Sequence, residues 1–539
     1  MNGLGRAVWR ARFRLGYVAM VAVFLSLVAQ FYLPGTGFTS LLSIGSRLDE
    51  RAVEKLRAVP HYAIEDSWGY DGTYYVQLAL HPTLDQPAEL GAAIDNLTYR
   101  ARRILPSWMA WGLGLGRDAW IVHVFAVLNV GVWLLLAWVL LRWLPPDRWS
   151  NLLRWAGVLF SHGMCMSVRN SLADAPGLLL VALTVLALER GRKAGVVVAL
   201  GAAMLTKETS LLAGSALIPV RGSGAGAWAR AVGLGALALV PFVAWLGYVR
   251  WKTGPGNDPG LGNFAWPLAG LAEKCGVVLA ELAVRGAQPE IVGSALVVIA
   301  LVTQAAFFFL HREPGRAWWR VGVGFAGLMM FVAQPVWEGY PGAATRVLLP
   351  MTLAFNLLVP RGRRWLAVLV LGNLSAVVGV NEFSAPPHES FVVSGESAVR
   401  ARVKLERGAG WYVAEGDGRR QWRWSSGQGD LRLVSRAGEP IAVRLSGEIG
   451  AVNPGVVTIR AGDAVRWTGA VAVARTAFAT TEFLLPAGAT MALQFTADAP
   501  GVRFANGDER VLAFAVYDVD IAVARPGPAA KPAGEIQPR

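Results

Sequence analysis

Three separated stretches of the 539-residue chain place charged groups in apolar or aromatic surroundings. The first is Tyr70-Asp71-Gly72-Thr73-Tyr74-Tyr75, with Glu65 and Asp66 just upstream and His61 nearby. A carboxylate held beside aromatic rings suits a general base for a sugar hydroxyl, because it takes the proton while rings pack on the apolar faces of the pyranose. The same aspartate would also serve as an N-cap for a helix starting at Thr73. The second stretch, Arg169-Asn170-Ser171-Leu172-Ala173-Asp174-Ala175-Pro176, supplies an acid that either joins the site or caps the helix after it. The third is Thr206-Lys207-Glu208-Thr209, and Arg346 opens a later apolar run. Lys207, Arg169 or Arg346 would neutralise a leaving phosphate, since preplaced cations stabilise charge that develops in a partly dry site. Snorkelling of long cationic side chains to a membrane interface is the plainer reading for each of them.

The elements that must position these groups are membrane helices. Hydrophobic residues make up 54% of the chain and charged residues 16%, against about 25% charged in ordinary soluble domains. The apolar residues fall into runs of roughly 16 to 23, the length that crosses a bilayer's hydrocarbon core. Residues 1–385 therefore read as one polytopic α-helical membrane domain. A net charge of +14 is dispersed in short Lys/Arg clusters between the apolar runs, which fits topology and not a nucleic-acid surface. Cys165 and Cys275 are too few for a disulfide framework or a thiolate metal site and read as packing residues.

Arg6, Arg10, Arg12 and Arg14 precede an apolar stretch from Tyr17 to Leu33, read as an uncleaved first span with a cytoplasmic N-terminus. Further spans are expected at Ala119–Leu141, Leu152–Met166, Pro176–Leu188, Ala231–Val249, Ile291–Leu310, Val321–Val336, Ala343–Val359 and Trp365–Val380. The stretch Ala194–Val220 carries Lys207 and Glu208 in its middle. As a hairpin it brings the total to about 11 spans and leaves the clusters Arg142/Arg148/Arg154, Arg190/Arg192/Lys193, Arg312/Arg316/Arg320 and Arg361/Arg363/Arg364 on the cytoplasmic side. It also lifts Lys207 and Glu208 to the outer face, away from mid-bilayer where charges are costly.

This topology turns three polar segments outward: residues 34–118, the loop from Arg250 to Glu290, and everything beyond Val380. The first contains an expected amphipathic helix around Leu48–Val59, the cluster HYAIEDSWGYDGTYYVQLALHP, and a run with Arg100, Arg102 and Arg103. Loops of that length are usually functional. Beyond Arg400 the pattern changes to alternation, as in Ile441, Val443 and Leu445 or Met491, Leu493 and Phe495. Turns are expected at Gly416-Asp417-Gly418, Pro486 to Gly488 and Asn506-Gly507, so residues 395–524 read as an extracytoplasmic all-β sandwich. Trp422 and Trp424, two apart on a strand, would fill its core or stack on sugars. Residues 525–539, rich in Pro, Ala and Gly, read as disordered.

An aspartate-x-x-x-tyrosine motif in the first outward loop, a second aspartate after the third helix, and a Leu205-Thr206-Lys207 hairpin together resemble the GT-C class of polyprenyl-phosphate-sugar glycosyltransferases. YDGTYYVQLALHP is similar, more narrowly, to the first-loop motif of bacterial membrane proteins of cell-surface glycopolymer formation. The resemblance covers roughly residues 17–380. It implies that Asp71 is the catalytic base, with Tyr75 the matching tyrosine and Asp174 the second acidic site. It implies that Lys207 lies near the lipid phosphate. The class's partner glutamate is replaced by Gly72, so its role is open or passes to Asp66 or Glu65. GWY followed by WRWS is similar to β domains appended to bacterial glycosyltransferases.

The expected activity is an inverting transfer from a polyprenyl-phosphate sugar to a cell-envelope glycan or glycolipid at the outer face of a bacterial inner membrane. Asp71, Asp174 and Asp66 are the candidate catalytic acids. Tyr74, Tyr75, His61, Arg169, Lys207, Glu208 and Arg346 are candidates for substrate contact. The six histidines show no paired ligand spacing; some members of the class use a divalent metal, which stays open. A transporter or flippase of lipid-linked sugars and a noncatalytic envelope scaffold are the alternatives, and a nucleic-acid partner is not expected.

Overall fold

The computed structural model describes residues 3–33, 35–49, 51–64, 67–220, 222–254, 260–339, 341–384, 386, 391–394, 403–413, 415–416, 421–435, 437–504 and 508–524. Glu65, Asp66, the expected turns at Asp417-Gly418 and Asn506-Gly507, and the tail from Arg525 lie outside these residues. The chain divides into two compact units, one of Met1–Tyr32, Leu41–Ser43 and Tyr70–Ser384, the other of Leu33–Ser40, Ile44–Gly69 and Ala385–Arg539. The expected single loop 34–118 is thus divided near residue 70: its first part belongs with the β-rich unit and its second with the helices.

Among the described residues, four helices of the first unit are long and apolar enough to cross a membrane, with spans at Arg12–Ala29, Asp118–Leu140, Ala225–Thr253 and Pro289–Leu310. A fifth candidate is the pair Arg363–Leu371 and Ser375–Asn381, bent by 42°. The chain reads accordingly as an integral membrane protein. The other expected spans are shorter or broken. Leu152–Met166 is two helices, Trp149–Leu159 and His162–Arg169. Val321–Val336 ends its main helix at Phe331, and Ala343–Val359 is split into Ala344–Val347 and Leu349–Leu358.

Buried polar side chains supply the backbone groups that these breaks expose, as an apolar medium requires. Trp133 donates its indole N–H to Leu159 O at 2.8 Å, beside the break at Phe160. Asn129 donates to both Ser167 O and Leu172 O at 2.7 Å, bridging the gap before the Asp174–Glu189 helix. Gln304 donates to Gly372 O at 2.6 Å, at the bend of the last pair. None of these partners is legible from apolar run lengths, and this is why the span boundaries differ.

The ambiguous stretch is a hairpin. Helix Lys193–Thr206 stops at Lys207, whose backbone is extended, and a 3-10 segment Glu208–Leu217 returns. Lys207 at the tip bonds Asp174, the first residue of its helix, while Arg320 bonds Ser215 O and Ala216 O at the other end of the return segment. Both arms therefore lie along one helix length.

The second unit contains the β-sandwich. One five-stranded sheet runs in the order Ala464–Val471, Gly455–Ala461, Thr490–Ala497, Gln428–Ser435 and Val403–Arg407. The facing sheet is built on Ile441–Ala451 and Phe514–Ala524, with Gln421–Ser425 beside the latter. Alternate residues Leu431, Leu433, Val443, Leu445, Leu493 and Phe495 are fully buried and form the core between the sheets. Trp422 and Trp424 are half-buried and lie outside that core, which corrects the core-filling reading. Trp422 instead packs on Tyr517 at 5.6 Å and donates to Glu415 at 3.3 Å.

In the same unit, Ile44–Gly45 pairs with His61–Ile64, which pairs in turn with Phe391–Ser394. The expected helix at Leu48–Val59 is two short turns, Ser46–Asp49 and Glu54–Arg57. Between them the chain must bring Asp49 back to His61, and one continuous helix would not.

Candidate functional site

The helix Gly72–Leu80 starts one residue earlier than expected, and its start is fixed by close backbone approach. A Cβ on Gly72 would lie 2.3 Å from Asn170 O and 2.6 Å from Leu42 O, so no side chain fits. Any larger residue at this position, glutamate included, is excluded by the same contacts. Tyr70 N–H donates to Ser43 O at 2.8 Å, and Ser43 Oγ donates to Asn170 Oδ1 at 2.7 Å. Asp71 follows as the residue before the helix, and its carboxylate makes no capping bond to the helix N-terminus. It instead pairs with Arg100 at 3.0 Å.

Arg100 is a hub. It binds Asp71 through Nη1 and Asp95 through Nε and Nη2 at 3.0 and 2.8 Å, and it lies 4.8 Å above the Tyr74 ring. Burial raises the Asp95 carboxyl, but hydrogen bonds and charge from Arg100 outweigh that and leave it below the ordinary carboxylate range. Arg103, one turn on, grips Glu208 with Nε at 2.9 Å and Nη2 at 2.5 Å. Its remaining donors reach Tyr75 Oη at 3.0 Å and Tyr99 Oη at 2.7 Å. The loop that carries these arginines is tied down by Trp245, which donates to Ala101 O at 2.7 Å, and by Ser107, which donates to Tyr75 O at 2.8 Å.

The second group converges on Asp174, 5% exposed at the start of its helix. One oxygen takes Lys207 and the other takes Arg346 Nη1 at 3.3 Å. Arg346 Nη2 also donates to Tyr70 Oη at 2.9 Å, while its Nε is buried without a partner. The turn that carries Arg346 sits directly on helix His162–Arg169, where a Cβ on Gly163 would lie 2.3 Å from Thr345 O. His162 adds a 2.8 Å bond to Thr345 Oγ1.

Asp71, Asp95, Arg100, Arg103, Lys207, Glu208 and Arg346 line one cavity of about 480 Å³. Apolar side chains, among them Phe264, Leu328, Val332 and Val336, also line it. Two acid–cation groups meet in it: Lys207 and Arg346 share Asp174, with one positive charge in surplus, and Arg100 takes both Asp71 and Asp95. Arg103 pairs with Glu208, and Arg102 adds a further cation to the lining.

Of the candidates from sequence, Asp71, Lys207, Glu208 and Arg346 line this cavity, and Asp174 and Tyr75 hold its cations. Tyr75 is 2% exposed, with its hydroxyl engaged by Arg103, and Tyr74 lies under Arg100. Arg169 is elsewhere in the helical unit, donating to Ser43 Oγ at 2.8 Å over the Phe31 ring. His61 belongs to the other unit, where its ring is fully buried between Val59 O at 2.8 Å and Asp49 at 2.9 Å. The partners that sequence reasoning missed are Asp95, Tyr99 and the specific roles of Arg100 and Arg103. Their spacing, with Tyr99 and Arg103 four apart and Asp95 and Arg100 five apart, was the available signal. Among the described residues, no three His, Cys, Asp or Glu side chains gather to hold a metal ion.

No family model matches the chain, and no curated protein matches it. Among solved structures it is similar to arabinosyltransferase EmbB from Mycobacterium smegmatis, at 12% identity and a TM-score of 0.36. That alignment covers 94% of this chain and 64% of EmbB, so the chain spans just under two thirds of its neighbour's length.

Two outcomes follow from the site's packing. Gly72→Ala should lower the thermal midpoint in detergent, by a destabilisation of about 1–3 kcal/mol, because backbone oxygens and not a flexible side chain meet the new methyl. For Glu208, burial raises the carboxyl but the Arg103 charge and hydrogen bonds bring it down to about 2 from the ordinary 4.5. The pair's contribution is therefore complete above 4.5 and is lost as pH falls toward 2. Glu208→Gln should melt below wild type at neutral pH, with the gap closing as melts are repeated between pH 5 and pH 3.

Proposed function

We propose that the chain is a membrane glycosyltransferase that moves a sugar from a polyprenyl-phosphate donor to a glycan or glycolipid of the bacterial cell envelope. The observation that carries this reading is one cavity lined by the Asp71 carboxylate, by Lys207 and Arg346 with a positive charge in surplus over Asp174, and by apolar side chains. A lipid-linked sugar phosphate has the same three parts: a hydroxyl-rich ring, an anionic phosphate and a hydrocarbon chain. The volume lies within the range of small-molecule pockets, about 300–1,000 Å³.

In the proposed reaction Asp71 takes the proton of the acceptor hydroxyl as its oxygen attacks the anomeric carbon. The bond from that carbon to the phosphate oxygen breaks, and the lipid phosphate leaves with the electron pair. Attack from the face opposite the leaving group inverts the anomeric centre. Lys207 and Arg346 meet the charge that grows on the phosphate, and Asp174 holds both in place and sets their surplus at one unit. Arg100 orients the Asp71 carboxylate through one oxygen and leaves the other for the proton. Arg103, Glu208 and Tyr75 brace the cavity between these groups. The site faces the outer side of the inner membrane, with the N-terminus cytoplasmic and the sandwich periplasmic, as the positive-inside bias of the Arg clusters supports. A flippase would place ionisable groups along a path through the bilayer; here the charged groups of the site gather at the hairpin tip.

The test is transfer of radiolabelled sugar by purified full-length protein across a panel of polyprenyl-phosphate sugars. Turnover with at least one donor is expected, falling about 10²- to 10⁴-fold in Asp71→Asn with little change in donor KM. Arg346→Gln should instead raise donor KM as well as lower kcat. Asp71→Asn turning over at the wild-type rate would remove Asp71 as the base.

A further inference from the structure

A cavity of about 850 Å³ lies in the helical unit at the end opposite the site described above, where the hairpin's return segment finishes and the Asp174–Glu189 helix ends. Four arginines line it, Arg154, Arg316, Arg320 and Arg361, against one carboxylate, Glu189. Glu189 is turned aside, accepting the Trp143 indole N–H at 3.0 and 3.1 Å. Arg316 pairs with Glu313 at 2.8 Å.

Two of these arginines are anchored on carbonyls and not on acids. Arg154, 3% exposed, donates to Asn356 O at 2.9 Å and Pro360 O at 3.3 Å. Arg320 donates to Ser215 O, Ala216 O and Pro314 O. Such contacts fix a guanidinium without neutralising it. Capping of helix ends accounts for these bonds, but it does not account for the donors left over. Arg154 Nε is buried without a partner, and so is the indole N–H of Trp318, a residue 4% exposed that lines the same cavity. Trp318 lies in the first turn of the helix Ala317–Phe331, whose N-terminus has no side-chain cap. A helix N-terminus with its positive dipole end, an orphan indole N–H, an orphan guanidinium N–H and surplus charge are the parts of an anion site.

We propose that this cavity binds a phosphate-bearing anion, and that its source is the headgroup of an anionic phospholipid. Phosphate matches the donors in number and charge, and leucine and valine side chains at Leu144, Leu188, Leu217 and Val359 line the cavity beside them. A chain with four helices fit to cross a bilayer places helix ends, and hence this cavity, where headgroups lie. The assignment is independent of sugar transfer.

The test uses delipidated full-length protein in detergent, with tail-labelled phosphatidylglycerol as probe, phosphatidylcholine as zwitterionic control and inorganic phosphate as the soluble arm. Saturable phosphatidylglycerol binding, about tenfold tighter than phosphatidylcholine, is expected. Trp318→Phe keeps the ring and removes only the N–H, and should weaken binding about three- to tenfold. Arg361→Gln, at an exposed residue of the lining, should weaken it to a similar extent. Millimolar inorganic phosphate that binds while phosphatidylglycerol does not would overturn the lipid source and keep the anion site. Equal binding of the two lipids, or wild-type affinity in both variants, would overturn the site itself.

Discussion

The buried Asp174 carboxylate is the constraint on which the hairpin-tip end of the helical unit depends. A carboxylate 5% exposed is tolerable only with cations on it. Both of its cations come from far along the chain, Lys207 from the hairpin tip and Arg346 from a turn some 170 residues on, at a sequence separation of 172. Removing one partner of such a pair typically costs about 3–5 kcal/mol, because a charge is left behind in an apolar setting. The hairpin therefore has to stop at Lys207, and the Ala344–Val347 turn has to sit where Gly163 lets it approach. Three otherwise separate elements are locked by one acid.

The loop arginines build outward from that lock. Arg103 ties the loop to Glu208, the residue next to Lys207, so the loop that carries Arg100 is indexed to Lys207 through adjacent backbone positions. Arg100 then presents Asp71. Tyrosines support both: Tyr75 and Tyr99 accept from Arg103, and Tyr74 lies beneath Arg100. A flat guanidinium suits this work better than an ammonium, since it stacks on a ring and bonds sideways to a carboxylate at once. The result is a set of charged side chains held in place by one another and by the tyrosines, which is what a preorganised site requires.

Much of this was legible in the amino-acid order, for reasons that can be named. The helices Asp118–Leu140, Ala225–Thr253 and Pro289–Leu310 follow from run length, and the hairpin follows from the cost of burying Lys207 and Glu208 in mid-bilayer. Those same costs brought Asp174, Lys207 and Arg346 to one end before their contacts were known. What could not be read was pairing. Run length carries no trace of Trp133 reaching Leu159 O or Asn129 reaching Leu172 O, so broken helices were drawn as whole spans. His61 was placed near Asp71 because it is near in sequence, whereas the chain crosses from one compact unit to the other at Tyr70 and His61 serves Asp49. The paired tryptophans Trp422 and Trp424 fit strand alternation, but the sandwich is filled by smaller apolar residues and leaves both half-buried.

The central claim is that one cavity holds a sugar phosphate between Asp71 and the Lys207–Arg346 pair. The most direct measurement is a cryo-EM structure of the full chain with a non-transferable polyprenyl-phosphonate sugar. The account predicts phosphonate oxygens within about 3 Å of Lys207 Nζ or Arg346 guanidinium nitrogens, with the anomeric carbon turned toward Asp71. Occupied density for the analogue elsewhere on the protein, with this cavity empty, would contradict it.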